Sequence, residues 1–243
     1  MEDLSTVMRP AERPRDGGPS LYDRTMDRMN KGVSASVRAF VKNAVYDAFP
    51  GVLRRGSPEG KRIALTFDDG PDHMTERYLT LLDKLGVPAT FFLIGGRAAE
   101  RPDLVREYLR RGHQVAGHGF DHTRFSKLNR RALLEQCERT DSALGGQLSG
   151  RPWVRPPHGS LDAGSLINLV TAGYTVAMWS VDSCDYETND PSKVVENCAH
   201  TAAGDVVLFH EGQQWTLDAL PRVVAAIQAA GLECVTMHDL FAS

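Results

Sequence analysis

No stretch of this 243-residue chain approaches the ~18 consecutive apolar residues of a membrane span. The opening residues, M-E-D-L-S-T-V-M-R-P, lack the basic start and apolar run of a secretory signal, so the sequence predicts a cytoplasmic protein. Cysteine is scarce. Cys137, Cys184, Cys198 and Cys234 include no C-x-x-C pair, are too few for a disulfide scaffold, and read as reduced thiols. A basic excess is missing too: 28 Lys and Arg stand against 31 Asp and Glu, which argues against a nucleic-acid groove. What is present is an ordinary globular composition, 42 % hydrophobic and 24 % charged. The length suits one barrel-sized domain or two small ones.

Residues 1–20, with prolines and glycines among mixed charges, have little apolar surface to bury and predict a mobile leader. Over residues 21–49, Leu21, Met26, Met29, Val33, Val37, Phe40, Val41, Val45 and Phe49 recur at three- and four-residue steps. That spacing predicts a helix or helix pair with one apolar stripe, which would pack on its own domain, on another subunit or on a membrane surface. Residues 1–60 are therefore taken as an N-terminal extension and 61–243 as the main domain. There, short apolar runs at 62–67, 89–94, 113–117, 152–155, 174–181, 205–209 and 232–236 alternate with helical patterns at 76–85, 102–111, 130–144, 162–172, 191–201 and 215–230. Asn129 marks one helix start, and Gly86, Gly112, Gly173 and Gly231 mark stops. Seven β-α alternations predict parallel strands wrapped by helices.

The unusual polar residues collect at the C-terminal ends of those strands. Asp68 and Asp69 follow the first, His118 and His122 the third, Arg155 the fourth, Asp182 and Asp185 the fifth, and His210 the sixth. A closed barrel gathers these ends on one face, whereas an open doubly wound sheet places them along a crevice; the pattern allows both. Two imidazoles and a carboxylate suit a divalent metal with an open fourth position. Asp68 and Asp69 are neighbours in a strand-end D-D-G-P, where one can bind a metal while the other approaches its water from another side. D-G-P is also strong turn chemistry, but two like charges after an apolar strand need compensation. A histidine after a hydrophobic strand is ordinarily a satisfied polar group, yet His210 arrives at the same mouth and could act as a general acid. Asp182 or Asp185 could keep it protonated, and Arg155 could orient the carboxylate base.

These residues resemble the polysaccharide deacetylase family, carbohydrate esterase family 4, also called the NodB homology domain. Five segments stand in the family's order: T-F-D-D-G-P at 66–71, H-G-F-D-H at 118–122, R-P-P-H-G at 155–159, D-S-C-D-Y at 182–186 and L-F-H-E at 208–211. The resemblance runs from about Arg62 to the C-terminus. It implies a distorted (β/α)7-8 barrel and removal of N-acetyl groups from amino sugars with one divalent metal, usually zinc and sometimes cobalt or nickel. Carried over by position, it implies Asp69, His118 and His122 as ligands, Asp68 as general base, and His210 as general acid tuned by Asp185 in preference to Asp182. Arg155 then orients the base, and the backbone N–H at His158 holds the oxyanion. The implied partner is an N-acetylated saccharide, touched by His158, Tyr186 and Asp182.

Four departures bear on substrate: His158 where an aromatic such as Tyr is usual, Tyr186 for Trp, Glu211 for Asp, and Gly117 where Asn often precedes the first ligand. They put a chitin-chain specificity in doubt and keep open a small-molecule C–N hydrolase, allantoinase-like or cyclic-imidase-like. A non-enzymatic binding module has little support, because base, acid and ligands are all present. Trp153, Trp179 and Trp215 could offer stacking faces to a sugar, although core packing is the ordinary use of such residues.

Overall fold

The computed structural model describes residues 46, 49–145 and 151–242. The leader at 1–20 and the helical segment at 21–49, Tyr46 and Phe49 excepted, lie outside the described residues. Among the described residues nine strands form one sheet: β1 (Val52–Leu53), β2 (Arg62–Asp68), β3 (Thr90–Leu93), β4 (Gln114–Gly117), β5 (Trp153–Val154), β6 (Thr175–Ala177), β7 (Val181–Asp182), β8 (Val206–His210) and β9 (Glu233–Val235). They run in the order β1-β6-β5-β4-β3-β2-β8-β7, with β9 paired to the start of β2, and every pairing is parallel. Between them lie helices α1 (Thr75–Leu85), α2 (Gly95–Glu100), α3 (Pro102–Arg110), α4 (Arg130–Ala143), α5 (Ala163–Thr171), α6 (Pro191–Asn197), α7 (Gln214–Ala229) and α8 (Met237–Phe241). No helix among the described residues is long and apolar enough to cross a membrane.

The run 174–181, predicted as one strand, is divided between two partners. Its first half is β6, bonded to β5 and β1; its second half is β7, bonded to β8 at the other end of the strand order. Across the break, Met178 N–H donates to Leu53 O at 2.7 Å and Ser180 N–H to Val206 O at 3.0 Å. One short segment thus supplies β7 at one end of the strand order and β6, next to β1, at the other, and the sheet is curled as expected for a distorted barrel. The sheet also reaches back past the boundary drawn at residue 61: Val52 and Leu53 have sheet partners, although two residues are too short a run to show a period.

Alternation along each strand sorts side chains onto two faces. Ile63, Leu65 and Phe67 of β2, Phe91 and Leu93 of β3, and Val207 and Phe209 of β8 pack outward on Tyr78, Leu79 and Leu82 of α1 and on Leu220, Val223 and Val224 of α7. Each such burial contributes about 1.5–3 kcal/mol before entropy is counted. The inner face carries Ala64, Phe92, Ala116, Ala177 and Val206, closed below by Met237 and Leu240. Three alanines there leave room for one large polar side chain. Helix boundaries follow local chemistry: Asn129 Oδ1 accepts from Ala132 N–H to start α4, and α1 stops at Gly86, whose φ of 66° lets its N–H reach Asp83 O and Leu82 O.

Candidate active site

The same alternation delivers the polar residues. Ala64, Thr66 and Asp68 share the inner side of β2; Val206, Leu208 and His210 share that of β8; and the register sets Asp68 directly beside His210. Ala116 leads to His118 and Trp153 to Arg155 by the same two-residue step. Asp69 is out of phase and would point away. Its φ of 73° turns the chain and brings its carboxylate back. His122, His158 and Cys184 also have positive φ, at 63°, 58° and 51°, and these four are the non-glycine residues so strained among those described. Strain gathered at one locus is characteristic of functional sites.

Asp69 Oδ1 lies 3.1 Å from His122 Nε2 and 3.5 Å from His118 Nε2. One donor atom from each of the three residues falls within 4.8 Å of the others. Asp69 Oδ1 is buried yet accepts no hydrogen bond. The His118 Nδ1 is 2.9 Å from the Arg155 carbonyl, which can only accept, so Nδ1 carries the proton and Nε2 presents its lone pair to Asp69. Burial pushes the His118 pKa down, favouring the neutral ring a cation needs. The His118 lone pair and the His122 Nε2 gathered around an orphaned carboxylate oxygen fit a divalent cation.

Two ion pairs flank this trio. Arg155, 0 % exposed, donates from Nη1 to Asp68 Oδ1 at 2.7 Å and to Thr66 Oγ1 at 2.9 Å. Its Nη2 donates to Met178 O at 3.1 Å and its Nε to Ala177 O at 3.4 Å, while the guanidinium lies over the Phe92 ring at 3.9 Å. On the other side, His210 Nδ1 is 2.7 Å from Asp185 Oδ1. The second Asp185 oxygen accepts from His210 N–H and Thr216 Oγ1, both at 2.8 Å. Burial works against a charged His210, but the Asp185 bond and charge, with Asp68 and Asp69 beyond, lift its pKa to about 9. Asp68, Asp69, His118, His122, His158, Tyr186 and His210 all line one cavity of about 430 Å³.

The sequence pattern of the polysaccharide deacetylase family matches residues 55–177, just over half of the chain. The chain belongs to the polysaccharide deacetylase family. Among curated relatives it is similar to the peptidoglycan-N-acetylglucosamine deacetylase PgdA of Listeria monocytogenes, 33 % identical over 74 % of this chain, although the chain spans only 39 % of that protein's length. A chitooligosaccharide deacetylase of Rhizobium leguminosarum bv. trifolii is 29 % identical over 80 % of this chain and 95 % of its own. Among solved structures, a family 4 carbohydrate esterase from Streptomyces lividans in complex with acetate superimposes with a TM-score of 0.68 at 32 % identity, covering 72 % of this chain and 92 % of that one.

Within this deacetylase-family site most of the expected residues meet, with one correction. Asp182 does not line the cavity. Its Oδ2 accepts from Trp179 Nε1 at 3.2 Å and its Oδ1 from Cys184 N–H at 2.9 Å, so both oxygens serve the loop around it. Asp185, not Asp182, holds His210. His158 lies at the rim, its ring 4.3 Å from that of His122 and tilted by 41°, and Tyr186, 51 % exposed, meets the His210 ring edge-on at 5.2 Å. Of the three tryptophans only Trp179 lines the cavity; Trp215 donates to Asp185 O at 2.6 Å and Trp153 packs on Phe241. Arg124, Leu208 and Gln213 also line it and were not singled out from sequence. Arg124 and Leu208 sit two residues beyond and before His122 and His210, a proximity that could have flagged them.

Proposed function

We propose that this chain is a metal-dependent hydrolase that removes N-acetyl groups from an amino-sugar saccharide and releases acetate. The observation that carries it is the convergence of the Asp69, His118 and His122 trio with the Asp68–Arg155 and His210–Asp185 pairs on one cavity. Asp69, His118 and His122 would hold the cation, and this N/O donor set suits zinc, with cobalt or nickel as alternatives. When bound there, such a cation polarises a carbonyl and acidifies water toward a pKa of ~7.

The protein's own groups divide the remaining work. Asp68 has Oδ1 tied to Arg155, which fixes the carboxylate so that it can accept a proton from attacking water as general base. The oxyanion is held in part by the backbone N–H at His158. His210, kept protonated by Asp185, gives its proton to the departing amine, so that free amine and acetate leave. Tyr186 and His158 form the rim against which the sugar lies.

Purified protein should release acetate from N-acetylglucosamine oligomers, peptidoglycan fragments or nucleotide-linked N-acetyl sugars. Chelation should stop the release and zinc should restore it. Silence across the panel with one cation bound per chain would favour the small-molecule C–N hydrolase instead. The pH profile tests the acid. His210 must be protonated to donate, so kcat/KM should hold below about pH 9 and fall as pH rises through it. Asp185→Asn removes the charge that opposes burial, and the alkaline limb should move to lower pH. An unmoved limb would mean that another group supplies the proton.

A further inference from the structure

Directly after the general acid stands Glu211, a carboxyl that the reaction does not use. It is buried at 4 % exposure, and no cation pairs with it among the described residues. Its N–H donates to Asp68 O at 3.0 Å. Its side chain runs under the loop that joins β2 to α1: a Cβ built on Gly70 would fall on Glu211 Oε2 and come within 2.8 Å of the Tyr108 hydroxyl. Gly70 therefore rests its bare backbone on this pair.

Three oxygen-bearing groups meet there. The Tyr108 hydroxyl is 2.9 Å from Glu211 Oε1 and 2.8 Å from Oε2. Thr75 Oγ1 is 3.1 Å from the Tyr108 hydroxyl and 3.3 Å from Glu211 Oε1. The Thr75 oxygen also accepts from Asp72 N–H at 2.9 Å, which anchors the far end of the same loop. With Glu211 ionised, the two hydroxyl protons can serve only two of the three contacts. A carboxylic acid supplies the missing proton: Glu211 O–H donates to Tyr108, Tyr108 to Thr75, and Thr75 back to Oε1, one proton for each edge.

We propose that Glu211 is a positioning residue that stands as a neutral carboxylic acid, closing a three-membered hydrogen-bond ring with Tyr108 and Thr75 that clamps the loop carrying Asp69. Burial is the largest influence on it and raises its pKa to about 8; the Tyr108 and Thr75 hydroxyls and the charge of Arg97 work against this, while Asp72 adds to it. Arg97 donates instead to the Asp69 carbonyl, on the same loop. The effect on the cation rests on the reading of Asp69 as a ligand, whereas the protonation state of Glu211 does not.

The experiment has two arms on the full chain. Infrared difference spectra at pH 7 between wild type and Glu211→Gln should show loss of one protonated-carboxyl C=O band, which converts to a carboxylate band as pH rises through about 8. A carboxylate band at pH 7 would overturn the neutral acid. Zinc affinity is then measured by chelator competition. Glu211→Gln, which can close the same ring through its amide, should bind like wild type, while Glu211→Ala and Tyr108→Phe should bind ~10–100-fold more weakly, the usual cost of losing an outer support of a ligand. Thermal unfolding without cation checks that each variant folds, and Tyr108→Phe keeps the packing if the alanine variant does not. Equal affinity in all variants, or equal loss in Gln and Ala, would overturn the clamp. No zinc binding by wild type would instead overturn the reading of the trio.

Discussion

Asp68→Asn is expected to lower kcat by ~10²–10⁴-fold with one cation still bound per chain, whereas Asp69→Asn and His118→Ala are expected to lose the cation itself. The two aspartates are adjacent, yet their surroundings are opposite. Asp68 Oδ1 already has the Arg155 guanidinium at 2.7 Å, and removing its negative charge takes away the proton acceptor without emptying the trio. Asp69 Oδ1 has no hydrogen-bond donor and faces two imidazole nitrogens. Neutralising it leaves two histidines, too few donors for a tight site. His210→Ala should behave like Asp68→Asn, with turnover lost and cation kept. Metal analysis of dialysed protein beside steady-state acetate release gives both readouts. Cation loss in the Asp68 or His210 variant would show that the ligand set is wrongly assigned.

Arg155→Ala carries the largest expected cost in stability, about 3–5 kcal/mol, because it strands Asp68 as a buried charge without a partner. It also breaks bonds to Thr66, Ala177 and Met178 inside the sheet and leaves a void over Phe92. Arg155→Lys should rescue little. An ammonium is a point charge, whereas these acceptors lie around a planar fork. Adding Asp68→Asn to Arg155→Ala should recover part of the stability but none of the activity, which separates charge burial from catalysis. Urea unfolding of the four proteins is the measurement, and a loss below about 1 kcal/mol for Arg155→Ala, a surface-pair value, would refute the buried pair.

Much of this was legible in the residues because one period governs both burial and function. The alternation that makes R-I-A-L-T-F a strand also fixes which side Asp68 takes, and the same holds for His210 after D-V-V-L-F. Helices α1, α3, α4, α5 and α7 fall within a residue or two of their predicted bounds, since each has a full apolar stripe and a cap or stop. The losses have equally local causes. The six-residue α2, beginning Gly-Gly, and the five-residue α8 are too short to show a helical period. The run 174–181 is mostly apolar, and nothing in it marks the change of partner at Met178. Asp182 and Asp185 read alike in the residues because the loop between them reverses at Cys184, whose positive φ no residue preference announces. Arg155 gave the least warning, since an arginine before two prolines ordinarily belongs to a solvated turn.

The strand order also constrains how such a site comes into being. β2 is the first long strand of the sheet, yet its partner β8 is the last but one, so Asp68 waits beside an empty edge until nearly the whole domain has been made. The closing contact spans most of the domain and is entropically expensive to form. A nascent chain released before residue 210 carries all three donors of the cation trio but neither the acid nor the edge that covers β2. On the proposed function, the docking of this one strand would complete the site, since it brings the acid beside the base.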